Sequence, residues 1–293
     1  MRYGTILSGV GGFYEVQLDD GGLLTCRLRG KLRLSKQEGV LVGDRVGVLD
    51  SAPSEEGYID EVLTRRSYLP RPAIANVQQV VAVMAYAAPP PNMLLLDRIL
   101  VLSEFHGLTA AVCLNKEDLP NGQQSVLARM EQHAQAYPVF TVSAATHQGT
   151  ETLKTLLKDK VTVLAGPSGV GKSTLINALV PDQKQQVGDI SRKLGRGKHT
   201  TRQVKLLALP FGGFLADTPG FSQLSLTEIP ARQLIQCFPD MDQFAEHCPY
   251  RGCTHTKEQI CAVKEAVQNG SLPDTRYSSY LTFWDEIQQN RRY

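Results

Sequence analysis

The sequence predicts an α/β protein with a doubly wound central sheet, preceded by a small β-barrel and followed by a short helical, cysteine-bearing segment. Three observations predict it. Between Val77 and Ala216, apolar β-branched runs alternate with stretches of helical period. Residues 1–70 instead carry five short strand-like runs divided by Gly-rich turns. Four of the six cysteines, Cys237, Cys248, Cys253 and Cys261, fall in one short stretch near the C-terminus. The expected domains are therefore 1–70, 71–225 and 226–293.

In the barrel region the strands read as Arg2–Leu7, Phe13–Leu18, Leu23–Leu28, Val46–Leu49 and Tyr58–Leu63. Asp20-Gly21-Gly22 is one of the turns between them. Five strands in this length suggest a closed barrel of the OB type, although an SH3-like barrel would give the same pattern. Arg27, Arg29, Lys31, Arg33 and Lys36 cluster around the third strand. Such a cluster is commonly solvated surface; on an OB-type barrel it also suits RNA contact.

Pro70 and Pro72 mark Arg71–Asn76 as a linker. Val77–Ala85 is then a strand, Pro89-Pro90-Pro91 a loop and Met93–Phe105 a helix, with Leu94, Leu95, Ile99, Leu102 and Phe105 near helical spacing. Thr109–Leu114, Val139–Val142 and Lys160–Ala165 are strands, while Gln123–Ala136, Thr150–Lys158 and Ser173–Val180 are helices. Val204–Leu209 and Gly213–Ala216 complete the sheet.

Composition leaves several classes out. The apolar fraction of 42% is ordinary for a globular protein, and the net charge of +2 does not by itself imply nucleic acid. No apolar run approaches the roughly 18 residues of a membrane span, and Gly9, Gly11, Gly12 and Glu15 interrupt any signal-like N-terminus. Cysteine placement suits a metal site in a reducing compartment, so a cytoplasmic protein is expected. Nothing in the sequence calls for more than a monomer.

Gly166–Ser173 reads GPSGVGKS and fits G-x-x-x-x-G-K-[ST] at every fixed position. It follows a β-branched apolar run and opens a helix, the context the motif requires. Backbone N–H groups of Gly166, Ser168, Gly169, Val170 and Gly171, on the loop that Pro167 turns, with the helix N-terminus at Ser173 and Thr174, would cradle phosphate. Lys172 would reach the β- and γ-phosphates and act in catalysis, and Ser173 would ligate Mg²⁺.

The strand Thr109–Leu114 runs into Asn115-Lys116-Glu117-Asp118, an N-K-x-D arrangement, and the next strand ends at Ser143-Ala144-Ala145. An Asp118 carboxylate can accept from both guanine N1–H and the N2 amine. Adenine offers neither donor, so it would leave that acid desolvated and unpaired. Asn115 can brace base and phosphate loop, the Lys116 stem can cover the ring, and a backbone N–H of Ser143-Ala144-Ala145 can reach O6. NKxD alone is a weak signal. Three motifs, each at the C-terminal end of a strand, make guanine the expected base.

Their order is permuted. Ras-like GTPases carry the phosphate loop first and the base-reading motifs last. Here NKED and SAA precede GPSGVGKS, and Asp217-Thr218-Pro219-Gly220, a D-x-x-G segment, comes last. The same sheet can form when termini are joined and the chain is cut elsewhere. Whatever follows Gly220 is then tethered to a segment that relaxes on γ-phosphate loss, so the C-terminal region is expected to report nucleotide state.

Asp182–Arg202 is too long for an ordinary connection. It contains Gly195-Arg196-Gly197-Lys198-His199-Thr200-Thr201. Thr201, with Thr200 as the alternative, is the expected sensor of Mg²⁺ and γ-phosphate. Asp217 would hold Mg²⁺ through water, and the Gly220 N–H would contact the γ-phosphate. Phe221 stands where Ras-like proteins place a water-orienting Gln, leaving His199 as the nearest polar substitute; a loop histidine that touches RNA is the alternative. Residues 184–205 hold seven Lys or Arg against the single acid Asp189, which points to a phosphate-rich partner at the switch.

Cys248, Cys253, His255 and Cys261 form C-x4-C-x-H-x5-C, three thiolates and an imidazole suited to a closed tetrahedral Zn²⁺ site. His247 is an awkwardly spaced substitute for His255. Thr256–Val267 reads as a helix presenting Cys261. Tyr277, Tyr280, Leu281, Trp284 and Ile287 follow helical spacing as a packing stripe rather than a base-stacking surface.

Taken together, barrel, NKED–SAA–GPSGVGKS–GKHTT–DTPG and knuckle resemble the circularly permuted, ribosome small-subunit-dependent GTPases of the RsgA (YjeQ or YloQ) family. The resemblance covers the whole chain. It implies a circularly permuted P-loop GTPase domain with an N-terminal OB-type β-barrel and a C-terminal zinc-binding helical domain. It also implies the 30S subunit as partner late in assembly, 16S rRNA contacted by barrel and zinc domain, and subunit-stimulated hydrolysis of GTP to GDP. An RNA-binding assembly module that uses GTP as a conformational ligand is the alternative, kept open by Phe221. A metabolic kinase of the phosphate-loop class would not need NKxD.

Overall fold

A computed structural model describes residues 1–30, 32, 39–50, 56–70, 72–119, 123–180, 204–217 and 225–290. The chain clusters into two compact units. The first comprises Met1–Gln79, Glu151–Leu164 and Ser173–Phe221; the second, Val80–Thr150, Ala165–Lys172 and Ser222–Tyr293.

In the first unit, β1 (Arg2–Val10), β2 (Phe13–Leu18), β3 (Leu23–Leu28), β4 (Arg45–Asp50) and β5 (Glu56–Val62) close into a barrel in the order β1-β2-β3-β5-β4. Period-2 alternation sends Ile6, Val16, Leu18, Cys26, Val46, Val48 and Ile59 into one core. The pairing of β3 with β5 is parallel, and β1 closes antiparallel on β4. This strand order is the OB arrangement, which decides between the two barrels the sequence left open. Lys31, Arg33 and Lys36 lie outside the described residues. Arg27 and Arg29 are described, and each pairs with an acid, Glu56 at 3.1 Å and Asp60 at 2.5 Å.

The expected linker is a ribbon instead. β6 (Tyr68–Pro70) pairs antiparallel with β7 (Ala73–Ala75), placing Leu69 opposite Ile74, and both are buried. Proline is tolerated there because a two-stranded ribbon demands few ladder donors.

Each unit carries three strands of α/β type. In the second unit, β8 (Gln79–Ala85), β9 (Thr109–Asn115) and β10 (Val139–Thr141) lie in the order β10-β9-β8, with β9 and β10 parallel. Helices α1 (Met93–Phe105) and α2 (Gln123–His133) connect them. Asn92 caps α1 by accepting the Leu95 N–H at 3.0 Å. Every residue of β8 is buried, as expected of a sheet covered on both faces.

The first unit adds β11 (Val161–Ala165), β12 (Lys205–Ala208) and β13 (Phe214–Asp217) in the order β11-β13-β12, with helices α3 (Thr150–Leu157) and α4 (Lys172–Leu179). β13 runs parallel to β11, but β12 is antiparallel to β13. The tight turn joining them, with Leu209 N–H on Gly213 O at 3.0 Å, is too short for a crossover and makes a hairpin.

The C-terminal region has two 3₁₀ turns, then α5 (Pro239–Ala245), α6 (Ala262–Gln268) and α7 (Asp274–Asn290). Tyr280, Phe283 and Ile287 are buried against Phe238, Met241 and Leu234, with Tyr277, Leu281 and Trp284 partly buried around them. The expected packing stripe therefore is one. The expected helix Thr256–Val267 is shorter: α6 begins only after Cys261, which serves as its N-cap residue in extended conformation. Glu258 prevents an earlier start, because its carboxylate accepts the N–H groups of Thr254, Thr256 and Lys257 in a turn. Among the described residues, no helix is long and apolar enough to cross a membrane.

Candidate nucleotide site and metal centre

β11 ends at Ala165, and the loop 166–171 leads into α4. Only glycine fits at its two ends. Gly166 has φ +151° and a Cβ there would sit 2.1 Å from Val83 O; Gly171 has φ +94° and its Cβ would meet Asn115 Nδ2 at 2.3 Å. Ser168 and Gly169 are exposed at the crest, Pro167 is half-buried, and Val170 is buried. Ser173 and Thr174 occupy the first turn of α4. The Lys172 ammonium donates to Gly166 O at 2.8 Å and Pro167 O at 2.7 Å, lying across its own loop. Burial pulls its pKa below the ordinary lysine value.

Three of the sequence motifs meet at one side chain. Asn115, 1% exposed, donates from Nδ2 to Val170 O at 2.8 Å and accepts the Ala144 N–H on Oδ1 at 3.1 Å. NKED, the phosphate loop and SAA are thus joined by hydrogen bonds that an amide, with its donor and acceptor, is suited to make. Ser143 Oγ donates to Asp118 Oδ1 at 2.6 Å and itself accepts the Thr146 N–H at 3.1 Å. That orients an exposed carboxylate from below. The Glu117 N–H is taken by Val142 O at 3.2 Å. Lys116, in the left-handed region at φ +66°, donates from Nζ to Ala88 O at 2.6 Å. The role of the segment after β8 as a partner of the lysine is a feature sequence reasoning missed; the triple proline marked only a loop.

Asp217 closes β13, where its backbone pairs with Lys205. His199, Thr200, Thr201, Gly220 and Phe221 lie outside the described residues, as does the basic stretch up to Arg202. Ser173, Thr201 and Asp217 offer hydroxyl and carboxylate oxygen, the donor chemistry of a hard divalent cation.

Cys248, Cys253, His255 and Cys261 converge, their ligand atoms all within 4.8 Å of one another. Cys248 Sγ lies 3.8 Å from Cys261 Sγ and 3.5 Å from His255 Nδ1, and His255 Nδ1 lies 3.4 Å from Cys261 Sγ. Ligands about 2.3 Å (sulfur) and 2.0 Å (nitrogen) from a tetrahedral centre stand about 3.5–3.8 Å apart, so these edges fit one zinc ion. None of the six cysteines is in a disulfide. His247 is exposed and its Nδ1 faces Gln243 O at 3.1 Å, so His255 is the histidine of the cluster. Positive φ at Gly252 (+77°) and His255 (+57°) turns the chain back on itself.

The knuckle is braced from two sides. Tyr277 Oη donates to His255 O at 2.6 Å and Tyr280 Oη to Thr254 O at 2.9 Å, both from α7. On the other side stands Glu258. Its partial burial raises the carboxyl pKa, but the Thr254 N–H, its own N–H and the Thr254 hydroxyl outweigh that and bring it down to about 2.

Comparison with known proteins agrees with this geometry. The family model described as RsgA N-terminal domain matches residues 3–59, and that described as RsgA GTPase matches residues 62–227. The small ribosomal subunit biogenesis GTPase RsgA of Moorella thermoacetica is 45% identical over 285 residues, covering 97% of each chain. The crystal structure of YjeQ from Thermotoga maritima superposes with a TM-score of 0.85 at 34% identity, covering 98% of each chain. That of YloQ, a circularly permuted GTPase, superposes with a TM-score of 0.82 at 34% identity, covering 99% of this chain and 96% of that one. On these matches, and on the permuted motif order that its sheet supports, the chain belongs to the RsgA GTPase family.

Proposed function

We propose that this chain hydrolyses GTP to GDP and phosphate while docked on the small ribosomal subunit, and that the cycle times its binding to and release from 16S rRNA during late assembly. The observation that carries the reading is the Asn115 side chain, which ties the phosphate loop to both base-reading segments. Its relatives carry the name small ribosomal subunit biogenesis GTPase.

In this reading Asp118, oriented by Ser143, accepts from guanine N1–H and N2, while a backbone N–H of Ser143-Ala144-Ala145 serves O6 and the Lys116 stem covers the ring. Glu117 completes the tetrad at the base site. The backbone of Gly166–Gly171 and the first turn of α4 at Thr174 hold the phosphates. Lys172 would exchange its loop carbonyls for the β- and γ-phosphates, whose negative charge favours the ammonium that burial disfavours. Mg²⁺, held by Ser173 with Thr201 and Asp217, would neutralise charge that develops on the phosphate oxygens. Gly220 contacts the γ-phosphate. His199 orients the attacking water, because Phe221 cannot. One Zn²⁺ on Cys248, Cys253, His255 and Cys261 has a structural role. The protein acts as a monomer in the cytoplasm, with barrel, basic switch and knuckle region on the RNA.

Phe221 favours a second reading, in which GTP is a conformational ligand hardly turned over. GTPase rate measured with and without purified 30S subunits separates the two. Strong stimulation is expected, and its absence would defeat the first reading.

A further inference from the structure

Arg276 is fully buried, an unusual setting for a guanidinium. It bonds Asp97 of α1 and, through Nε at 2.8 Å and Nη2 at 3.1 Å, both oxygens of Asp240 on α5. Asp97 also takes His133 Nε2 at 2.9 Å, and His133 Nδ1 stands 2.8 Å from Thr275 Oγ1. One turn from its C-terminus α7 makes a second tie to α1, Glu286 to Arg98 at 2.5 and 2.8 Å.

These bonds continue in both directions. Toward the knuckle, Tyr277, next to Arg276, donates to His255 O, the backbone of a zinc-ligand residue. Toward the base-reading strands, α1 is entered through the segment after β8, whose Ala88 O holds Lys116 Nζ. Every link from His255 to Lys116 is therefore a side-chain hydrogen bond or a short piece of covalent chain, all inside the second unit. The switchable element at one end is the knuckle itself, since a loop of this kind is ordered by its metal.

We propose that Arg276 is an ionic latch coupling the order of the zinc knuckle to the guanine-reading lysine loop, so that metal at the knuckle and guanine nucleotide at the base site strengthen one another. This rests on the reading of Lys116 as part of the base site. Coupling is reciprocal by linkage, and couplings of this kind are typically about 5–150-fold.

The test is a thermodynamic cycle on the full chain. Affinity for mant-GDP is measured zinc-loaded and after a zinc chelator that spares magnesium, in wild type and in Arg276→Met/Asp97→Asn/Asp240→Asn. Removing all three charges together avoids leaving an uncompensated buried ion. Zinc removal is expected to weaken binding at least about fivefold in wild type and less than half as much in the triple variant. Equal dependence in both, or none in wild type, overturns the latch. Should the triple variant fail to fold, Tyr277→Phe replaces it, with the same two outcomes. Hydrogen exchange at residues 86–98, faster without zinc in wild type and insensitive to zinc in the variant, is the second readout. If the protein binds no guanine nucleotide, the base-site reading has failed, and the exchange measurement alone decides the latch.

Discussion

Asn115 Nδ2 donates to the carbonyl of Val170, fifty-five residues later in the chain, at 2.8 Å. The same amide holds the Ala144 N–H on its oxygen at 3.1 Å. Circular permutation has moved the base-reading motif ahead of the phosphate loop in sequence, yet this amide keeps them within one hydrogen bond. Chain order is free to change in this fold because the contacts that define the site are made by the C-terminal ends of strands, which the sheet aligns whatever the connectivity.

Asn115→Ala should therefore loosen the phosphate loop and the Ser143–Ala145 segment together. It strips partners from the Val170 carbonyl and the Ala144 amide in a buried place, which costs about 1–3 kcal/mol in a typical case. A lowered melting temperature and at least a tenfold loss of mant-GDP affinity are expected. An unchanged affinity would show that the phosphate loop holds its shape without the amide.

Asp118→Asn reverses part of the hydrogen-bonding face offered to the base. An amide can donate to the carbonyl that xanthine has at C2, where guanine has an amine. GTP binding should fall by two or more orders of magnitude, with XTP binding gained in its place, consistent with the steep cost of unpaired buried donors. Competition titrations with GTP, XTP and ATP measure this. A variant that still prefers GTP would remove Asp118 from the base site.

Much of this was legible beforehand because the signals are local. Met93–Phe105 is helical over the bounds its apolar spacing predicts, and the Asn92 cap explains its start. The motifs at the strand ends were readable for the same reason, since each depends on its own neighbours. What was not legible is long-range or competing. Pro70 and Pro72 read as a linker, but Leu69 and Ile74 gain more by pairing and burial than the prolines cost. The helix expected from Thr256 was lost to Glu258, whose carboxylate competes for the same backbone donors. Arg276 lies four residues before Tyr280 and seven before Phe283 on the buried face of α7. A lone charge on that stripe was a visible signal of a buried ion group, but its partners Asp97 and Asp240 could not be known from spacing.

Glu258 gives the knuckle an acid dependence whose sign can be worked out. Its folded pKa of about 2 lies below the ordinary 4.5, so the unfolded chain binds more protons between those values. The contribution is complete above about pH 4.5 and is lost as pH falls toward 2. Glu258→Gln should flatten that part of the stability–pH curve relative to wild type, while protonation of Cys248, Cys253, His255 and Cys261 affects both proteins alike. At neutral pH the same variant should lose on the order of 1 kcal/mol, a modest figure because the carboxylate is partly solvated. Zinc release followed with a chromogenic chelator should be faster. Identical acid limbs would mean that the turn is held by something other than the carboxylate.

In the proposed reaction His199 is the residue to test. Phe221 follows the D-x-x-G segment and has no polar group to orient water, so the proposed reaction draws on a polar side chain of the 182–202 stretch. If His199 is that group, His199→Ala should lower 30S-stimulated turnover by about 10²–10⁴-fold, the usual share of a positioned acid–base group. Affinity for GTP should stay within twofold, since the proposed guanine and phosphate contacts are made by other residues. Lost subunit binding with intact turnover per bound molecule would assign His199 to the RNA contact instead. The two roles are separated by measuring the rate at saturating subunit, where docking defects disappear and a defect in water positioning remains.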